Sequence, residues 1–191
     1  MNRTDARPGD QPTKTVLLHS CCGPCASACV PRLKEAGCAV TMFFSNSNID
    51  SREEFERRLE SAGRLADAEG VEIVVDEYDH ETWLRDVAAG YEDEPEKGER
   101  CERCYRWNLA RTAAYATAHG FESFTTSLTV SPHKPSAKIF AATDSPAFLR
   151  EDFKKRDGFI MSVRRTAELG LYRQSYCGCE FSKRGGNGEG A

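Results

Sequence analysis

The fold is set by residues 15–25, TVLLHSCCGPC, in which a short apolar run leads directly into cysteine, glycine and proline. Residues 15–19 have the length and composition of a buried strand. Pro24 suits the first turn of a helix, and Pro31 is expected to kink or restart that helix. The cysteines of this stretch therefore follow the carboxyl end of the first predicted strand.

The alternation of strand and helix continues along the chain. Further strands are predicted at residues 39–45, 71–75 and 121–128. One helix begins at a capping box formed by Ser51 and Glu54 and stops at Gly70. A second helix is predicted at residues 101–119 and is closed by Gly120. This alternation predicts an α/β fold with a doubly wound parallel sheet, whose ligands bind at the carboxyl ends of the strands.

The length of 191 residues is that of one domain with its own hydrophobic core, so folding does not require a metal. We expect a single domain at residues 14–184, between a disordered arm at residues 1–13 and a disordered tail at residues 185–191. Neither a signal peptide nor a membrane span is visible. The expected location is cytoplasmic, where cysteines serve metal binding or redox catalysis in preference to disulfides.

Seven of the nine cysteines fall into three groups. The first group is Cys21, Cys22 and Cys25, the second is Cys101 and Cys104, and the third is Cys177 and Cys179. One thiolate from the first group, two from the second and one from the third are enough for an Fe4S4 cluster. The three remaining thiolates suit a second, open metal site. Cys29 and Cys38 are expected to be small buried hydrophobic residues.

Two other interpretations of the cysteines stay open. A zinc-stabilised RNA-binding module accounts for four of them. The sequence Cys22-Gly23-Pro24-Cys25, between a strand and a helix, is also that of a thioredoxin-like dithiol oxidoreductase using Cys22 and Cys25. His19, at the end of the first strand, is either a site residue or a buried histidine with satisfied hydrogen bonds.

The net charge of −4 conceals a basic C-terminal part, since residues 150–184 carry nine basic and five acidic side chains. Runs such as Lys154-Lys155-Arg156 are suited to contact the phosphates of a nucleic acid. On composition alone, a solvated charged surface is the simpler interpretation.

Six motifs between residues 15 and 184 occur together in this chain. They are LLHSCCGPC at 17–25, FFSNSNI at 43–49, RCERCYRWNLART at 100–112, FTTSLTVSPHK at 124–134, DFKK at 152–155 and LYRQSYCGC at 171–179. Their combination resembles the QueH-type epoxyqueuosine reductases, which are similar in fold to the adenine nucleotide alpha-hydrolase (HUP) group. The resemblance implies removal of the epoxide oxygen from epoxyqueuosine at the wobble position of tRNA, the last step in making queuosine.

The resemblance also implies two metal centres, a 4Fe-4S cluster (Fe4S4) next to a mononuclear iron. By position, the cluster is assigned to Cys22, Cys101, Cys104 and Cys179. The mononuclear iron is assigned to Cys21, Cys25 and Cys177, which makes these three cysteines catalytic. Exchanging Cys21 with Cys22, or Cys177 with Cys179, satisfies the same spacing, so those alternatives stay open.

In the implied reaction the iron binds the epoxide oxygen, the cluster relays two electrons, and the oxygen leaves as water. An external electron donor such as ferredoxin or flavodoxin is therefore implied. The motifs offer Tyr172 and Asp152 as catalytic proton donors, with Tyr176 and His133 as further candidates. Each of these residues also has an ordinary structural interpretation, as a hydrogen-bonded core tyrosine or a loop-capping carboxylate.

The implied partner is a tRNA bearing epoxyqueuosine, and no membrane is involved. Phosphates of the anticodon arm are assigned to the basic residues Lys154, Lys155, Arg156, Arg173 and Lys183. An aromatic residue such as Phe44 or Tyr105 is expected to stack on a flipped base.

Overall fold

The computed structural model describes residues 14–183, so the predicted disordered segments at residues 1–13 and 185–191 lie outside the described residues. Its centre is a four-stranded parallel sheet with the strand order β3-β2-β1-β4. The strands are β1 (Lys14–His19), β2 (Cys38–Phe44), β3 (Glu72–Val75) and β4 (Ser123–Thr126). All four were predicted from the sequence, and the expected α/β class is confirmed.

The strand predicted at residues 121–128 is longer than the observed β4. The chain leaves the sheet after Thr126, whose Oγ1 accepts a hydrogen bond from the backbone N–H of Leu128 at 3.1 Å. This bond starts a 3₁₀ turn at Ser127–Val130. A side-chain cap of this kind competes with the strand, which explains the early end of β4.

Six α-helices and three short helical turns complete the described part of the chain. The α-helices are α1 (Gly23–Glu35), α2 (Arg52–Glu69), α3 (His80–Trp83), α4 (Glu99–Ala118), α5 (Ser136–Phe140) and α6 (Gly158–Glu168). A π-helical turn at Leu84–Ala88 extends α3. The two 3₁₀ turns lie at Ser127–Val130 and at Glu180–Ser182. Among residues 14–183, no helix is long and apolar enough to cross a membrane.

The helix boundaries follow from local chemistry. Ser51 accepts a hydrogen bond from the backbone N–H of Glu54 at 3.2 Å, as predicted for the start of α2. Gly70 ends α2 in the left-handed conformation, with a φ of 61°. The predicted restart of α1 at Pro31 is wrong, because α1 runs through Pro31 as one helix.

The sheet is covered by helices on both faces. In β1, Val16 and Leu18 point to one face, into a core shared with α1 and α2, whereas Leu17 points to the other face, towards α4. All three side chains are fully buried. A strand that is apolar on both sides is typical of a sheet between two helical layers, so the doubly wound arrangement is confirmed.

The strand order places a switch point beside β1. The helix α1 leaves β1 on one face, and α4 enters the neighbouring β4 from the opposite face. In open parallel sheets, ligands bind in the crevice outside the carboxyl ends of the strands at such a point. The first cysteine group follows β1 directly and therefore lies at this crevice.

Candidate metal centre

One cavity of about 300 Å³ opens at the carboxyl edge of the sheet. Five of the seven grouped cysteines line it, namely Cys21, Cys25, Cys101, Cys104 and Cys177. The remaining two, Cys22 and Cys179, are buried and are not among the lining residues. The tertiary fold thus brings together three groups that are far apart in sequence.

The first cysteine group forms a compact triad at the start of α1. The Sγ atoms of Cys21, Cys22 and Cys25 all lie within 4.8 Å of one another. Adjacent residues of an extended segment would point to opposite sides, yet the Cys21 and Cys22 sulfur atoms are only 3.9 Å apart. Cys22 is the N-cap of α1, at the junction between β1 and the helix.

The hydrogen bonds within this triad shift the pKa values of its thiols in opposite directions. Hydrogen bonds from Cys21 and Cys25 hold the pKa of the Cys22 thiol well below its ordinary value, although burial opposes them. The Nε2 atom of Gln174 also donates to Cys22 Sγ at 3.1 Å. Hydrogen bonding to Cys21 and Cys22, together with burial, raises the pKa of Cys25. Within the triad, Cys22 is therefore the thiol that loses its proton most readily.

The second cysteine group occupies the first turns of α4. Cys101 and Cys104 are three residues apart and so share one face of the helix. Cys101 Sγ accepts from the backbone N–H of Lys97 at 3.3 Å, and Cys104 Sγ accepts from Nδ2 of Asn108 at 3.8 Å. Burial raises the pKa of Cys104 well above its ordinary value, and the nearby thiols of the third group raise it further.

The third cysteine group lies in an irregular segment after α6. Gly178, between the two cysteines, has a φ of 141°, a conformation that residues with a side chain rarely adopt. Cys179 packs in an apolar cluster with Trp83, Cys104 and Trp107. The buried Nε1 atom of Trp107 lacks a hydrogen-bond acceptor among the described residues, and the indole N–H of Trp83 acts on the Cys104 thiol, where it opposes the rise in pKa.

The donor set fits a metal centre with soft ligands. Thiolates select iron–sulfur clusters, iron and zinc over hard cations. Buried indole N–H groups beside Cys104 and Cys179 supply donors for sulfur atoms, which tune such clusters through hydrogen bonds. The residues present are thus chemically suited to the cofactors that the motifs imply.

The cavity also contains a lysine that the sequence analysis did not single out. Lys134 lines the cavity, and its backbone carbonyl accepts a hydrogen bond from Lys154 Nζ at 2.8 Å. Burial acts to lower the pKa of Lys134, but the negative charge of the thiolate forms of Cys177, Cys21 and Cys25 raises it above the ordinary value. Its place at the end of the motif TVSPHK, with Pro132 and Pro135 close by, was the available signal.

Of the four predicted proton donors, two line the cavity and two do not. His133 and Tyr176 line the cavity, and the Tyr176 hydroxyl donates to Asp50 Oδ1 at 2.8 Å. Burial, followed by this bond, raises the pKa of Tyr176 to about 12. Tyr172 and Asp152 are not among the lining residues. Their catalytic roles stay predictions.

The hydroxyl of Tyr172 donates to the Glu54 carboxylate, with oxygen–oxygen distances of 3.0 and 3.2 Å. Asp152 lies 3.9 Å from the ammonium of Lys154. Tyr172 is therefore engaged within the protein, whereas Oδ1 of Asp152 is buried without a hydrogen-bond partner among the described residues.

The residues assigned to tRNA phosphates differ in availability. Lys155 and Arg156 are exposed, and Arg173 is exposed at the mouth of the cavity, with its guanidinium 5.3 Å from the centre of the Phe159 ring. Lys154 is instead half-buried, where it donates to Lys134 O and to Ser136 Oγ. The assignment of these residues to phosphates remains a prediction.

The sequence analysis named further candidates. Lys183 forms a close ion pair with Asp50. Tyr105 lines the cavity, but the expected stacking role of Phe44 is wrong, because its ring is fully buried in the core against Phe55. His19 is a satisfied buried histidine, bonded to Thr126 Oγ1 at 2.9 Å and to Ser45 O at 3.1 Å.

The two cysteines outside the groups belong to the packing of the domain. Cys29 is buried in the core, as expected, and Cys38 is half-buried at the start of β2. The dithiol interpretation meets an obstacle at Cys22, which has the lowered pKa of a reactive thiol but is fully buried. A dithiol oxidoreductase needs an accessible attacking sulfur.

The fold and the site together define a class, a doubly wound parallel α/β protein whose cysteine thiols converge at the carboxyl edge of the sheet. The family model described as "Epoxyqueuosine reductase QueH" matches residues 16–185. The chain therefore belongs to the epoxyqueuosine reductase QueH family, which is a family of oxidoreductases, and the resemblance seen in the motifs is confirmed.

Curated relatives named epoxyqueuosine reductase QueH support this assignment. The protein from Thermotoga maritima is 36% identical over 177 residues, which cover 88% of this chain and 90% of the relative. The proteins from Dehalococcoides mccartyi and Streptococcus pyogenes serotype M1 are each 34% identical, over 175 and 182 residues. These alignments cover 88% and 89% of this chain, and 92% and 71% of the respective relatives.

Proposed function

We propose that this protein reduces epoxyqueuosine to queuosine at the wobble position of tRNA. The observation that carries the proposal is the convergence of the three cysteine groups at one cavity, in a chain of the QueH family. The reaction removes one oxygen atom as water and leaves an alkene. It consumes two electrons and two protons, so an external one-electron carrier, such as ferredoxin or flavodoxin, must supply the electrons.

The proposed cofactors are a 4Fe-4S cluster and a mononuclear iron. When bound, they supply one-electron transfer and polarisation of the substrate oxygen. The division drawn from the motifs gives the cluster Cys22, Cys101, Cys104 and Cys179, and gives the iron Cys21, Cys25 and Cys177. The sulfur positions support a second division, in which Cys21, Cys22 and Cys25 act together and the other four thiols hold the cluster.

Two cysteines distinguish these divisions, because only Cys22 and Cys177 change sides. Under the first division, Cys22→Ser loses the cluster sulfide, whereas Cys177→Ser keeps it and loses one iron. Under the second division the two results are exchanged. The measurement is iron and acid-labile sulfide per chain after anaerobic reconstitution, where the wild type should hold about four sulfides and four to five irons.

Cys38→Ser is the matched control for this experiment, since Cys38 is a half-buried cysteine outside the three groups. If both Cys22→Ser and Cys177→Ser keep the full complement of iron and sulfide, the two-centre proposal fails. A single zinc per chain, with neither iron nor sulfide, would support the zinc-stabilised RNA-binding module instead.

Lys134 has a direct role in the proposed reaction. Lys134 lines the cavity together with five of the cysteines, and we assign its Nζ to donate a hydrogen bond to the epoxide oxygen. A charged donor in a partly desolvated site stabilises the negative charge that grows on oxygen as the carbon–oxygen bond breaks. His133 and Tyr176 also line the cavity and remain candidates for passing the protons.

The walls of the cavity serve the substrate base. Asn46 and Asn48, from the loop after β2, and Tyr105 line the cavity. Asn46 Nδ2 donates to Ser20 O at 2.9 Å, whereas Asn48 Oδ1 has no hydrogen-bond partner among the described residues. A modified base extruded from the anticodon loop needs such polar partners and an aromatic surface. Arg173, Lys155 and Arg156 are exposed and are proposed to contact the phosphates of the anticodon arm.

The decisive test is conversion of the substrate itself. The anaerobically reconstituted protein is incubated with tRNA bearing epoxyqueuosine and a low-potential reductant, and the nucleosides are analysed by mass spectrometry. The expected product is lighter than the substrate by one oxygen atom. A protein that holds its full iron and sulfide yet leaves epoxyqueuosine unchanged would refute the proposed function.

A further inference from the structure

The segment that carries the third cysteine group needs an anchor, because residues 171–179 form neither helix nor strand. Without a ladder of backbone hydrogen bonds, such a segment is held by side chains from elsewhere in the fold. Among the side chains that reach it, Arg58 on the second turn of α2 contacts the backbone next to the third cysteine group.

The guanidinium of Arg58 is directed at the backbone beside the first of these two cysteines. Its Nη1 donates to the carbonyl of Cys177 at 3.0 Å, and its Nη2 donates to the carbonyl of Tyr176 at 3.4 Å. The Arg58 side chain is only 2% exposed. A planar guanidinium that contacts two successive carbonyls fixes both the position and the direction of the chain between them.

Glu54, one turn earlier on α2, orients this guanidinium. Its Oε1 accepts from Arg58 Nε at 2.7 Å, and its carboxylate also accepts from the hydroxyl of Tyr172. Glu54 is itself 7% exposed. The pair therefore holds the segment at two points, at Tyr172 and again at Tyr176–Cys177.

The segment lies directly against Arg58 at Gly178. A Cβ added to Gly178 would stand 3.3 Å from Arg58 Nη1 and 3.1 Å from Asn48 Nδ2. The carbonyl of Gly178 accepts from the backbone N–H of Asp50 at 3.0 Å. The chain between the two cysteines is thus packed on the guanidinium, with a glycine at the point of closest approach.

We propose that Arg58, oriented by Glu54, is the positioning residue that holds Cys177 and Cys179 in the geometry required for metal binding. A buried guanidinium needs acceptors for its N–H groups, and for Arg58 these acceptors are the backbone carbonyls of Tyr176 and of the ligand residue Cys177 itself. The inference rests on one part of the proposed function, namely that these thiols bind a metal. It does not depend on the substrate.

The test compares Arg58→Met with Arg64→Met. Arg64 lies on the same helix and also donates to two backbone carbonyls, those of Leu169 and Gly170, which precede the segment. It is the matched control, because it anchors the chain but lies apart from the cysteines. Both variants are reduced and freed of metal, and the alkylation rate of each cysteine is followed by peptide mass spectrometry.

We expect alkylation of Cys179, which is only 9% exposed, to rise at least about tenfold in Arg58→Met, the effect of losing one charge-assisted hydrogen bond. It should stay at the wild-type rate in Arg64→Met. Cys29, fully buried in the core, reports global unfolding and should stay protected in both variants. In reconstituted protein, Arg58→Met should also lose iron and sulfide to a chelator faster than Arg64→Met.

If Arg58→Met exposes Cys29 as well, Arg58→Lys takes its place. A lysine keeps a charge beside Glu54 but lacks the planar fork, so it cannot contact both carbonyls. Wild-type alkylation of Cys179 together with wild-type metal retention, in whichever of the two variants is folded, would overturn the proposal. A loaded wild type that lacks reductase activity would refute the proposed function and leave this inference standing.

Discussion

Replacing Lys134 by methionine removes the charged group that we propose to meet the epoxide oxygen. The substitution should leave the local turn intact, because Lys154 bonds to the backbone carbonyl of Lys134 and not to its side chain. Methionine also has a similar length. The change is therefore confined to one ammonium group inside the cavity.

The magnitude follows from the position of Lys134. Loss of one preorganised donor to a developing oxyanion costs about 100-fold to 1,000-fold in kcat, which is about 2.7–4 kcal/mol of transition-state stabilisation. Lys134 is half-buried, so water screens part of its charge, and we expect the lower end, about 100-fold. Lys134→Arg keeps the charge and should stay within about tenfold of the wild type.

The assay is single-turnover conversion of tRNA bearing epoxyqueuosine under anaerobic conditions, with each variant assayed after iron and sulfide have been measured. Binding of tRNA is measured separately, so that a loss in the chemical step is distinguished from a loss of affinity. If Lys134→Met holds its full metal and converts substrate within about threefold of the wild type, the assigned role of Lys134 is refuted.

Three further predictions concern stability and binding. Burial acts to raise the pKa of Asp76, but hydrogen bonds from Arg111, supported by Ser45, hold it below its ordinary value of 3.8. The stabilisation is therefore complete above the unfolded-state pKa and is lost as the pH falls through the lower folded-state pKa. In urea unfolding, Asp76→Asn should be less stable than the wild type at neutral pH. The difference in the free energy of unfolding should shrink below about pH 4, and a difference independent of pH would contradict this. Gly178→Ala should lower the free energy of unfolding by about 1–3 kcal/mol in thermal unfolding and weaken the retention of iron, because the φ of 141° at this position disfavours a side chain. Wild-type stability and iron content would show that the segment adapts freely. Charge reversal at Lys155 and Arg156 should weaken tRNA binding in filter assays and reduce its dependence on salt, whereas unchanged affinity would count against the proposed phosphate contacts.

Much of the fold could be predicted from local patterns. The apolar run before the first cysteine group predicted β1, and its burial on both faces follows from a run without polar alternation. The capping box at Ser51 and the glycine at residue 70 predicted both ends of α2. These features depend on residues within one or two turns of each other, and the printed sequence displays such relations directly.

The limits of the sequence appear where neighbouring signals compete. Pro31 predicts a kink or a restart of α1, and the restart does not occur, because α1 packs in the core as one helix from Gly23 to Glu35. The strand predicted to reach residue 128 ends at Thr126, because that residue uses its own hydroxyl to start a turn. Local propensity in each place was outweighed by a competing interaction.

The sequence by itself determined the α/β class, the three cysteine groups and the family to which the chain belongs. Only the tertiary structure decided which side chains share the cavity. It placed Lys134 among the cysteines, brought Arg58 to the backbone of Cys177 and set the sulfur atoms of Cys21 and Cys22 3.9 Å apart. The physical reason is that contacts between distant segments depend on the packing of whole elements, whereas strands, caps and motifs depend on residues that are close along the chain.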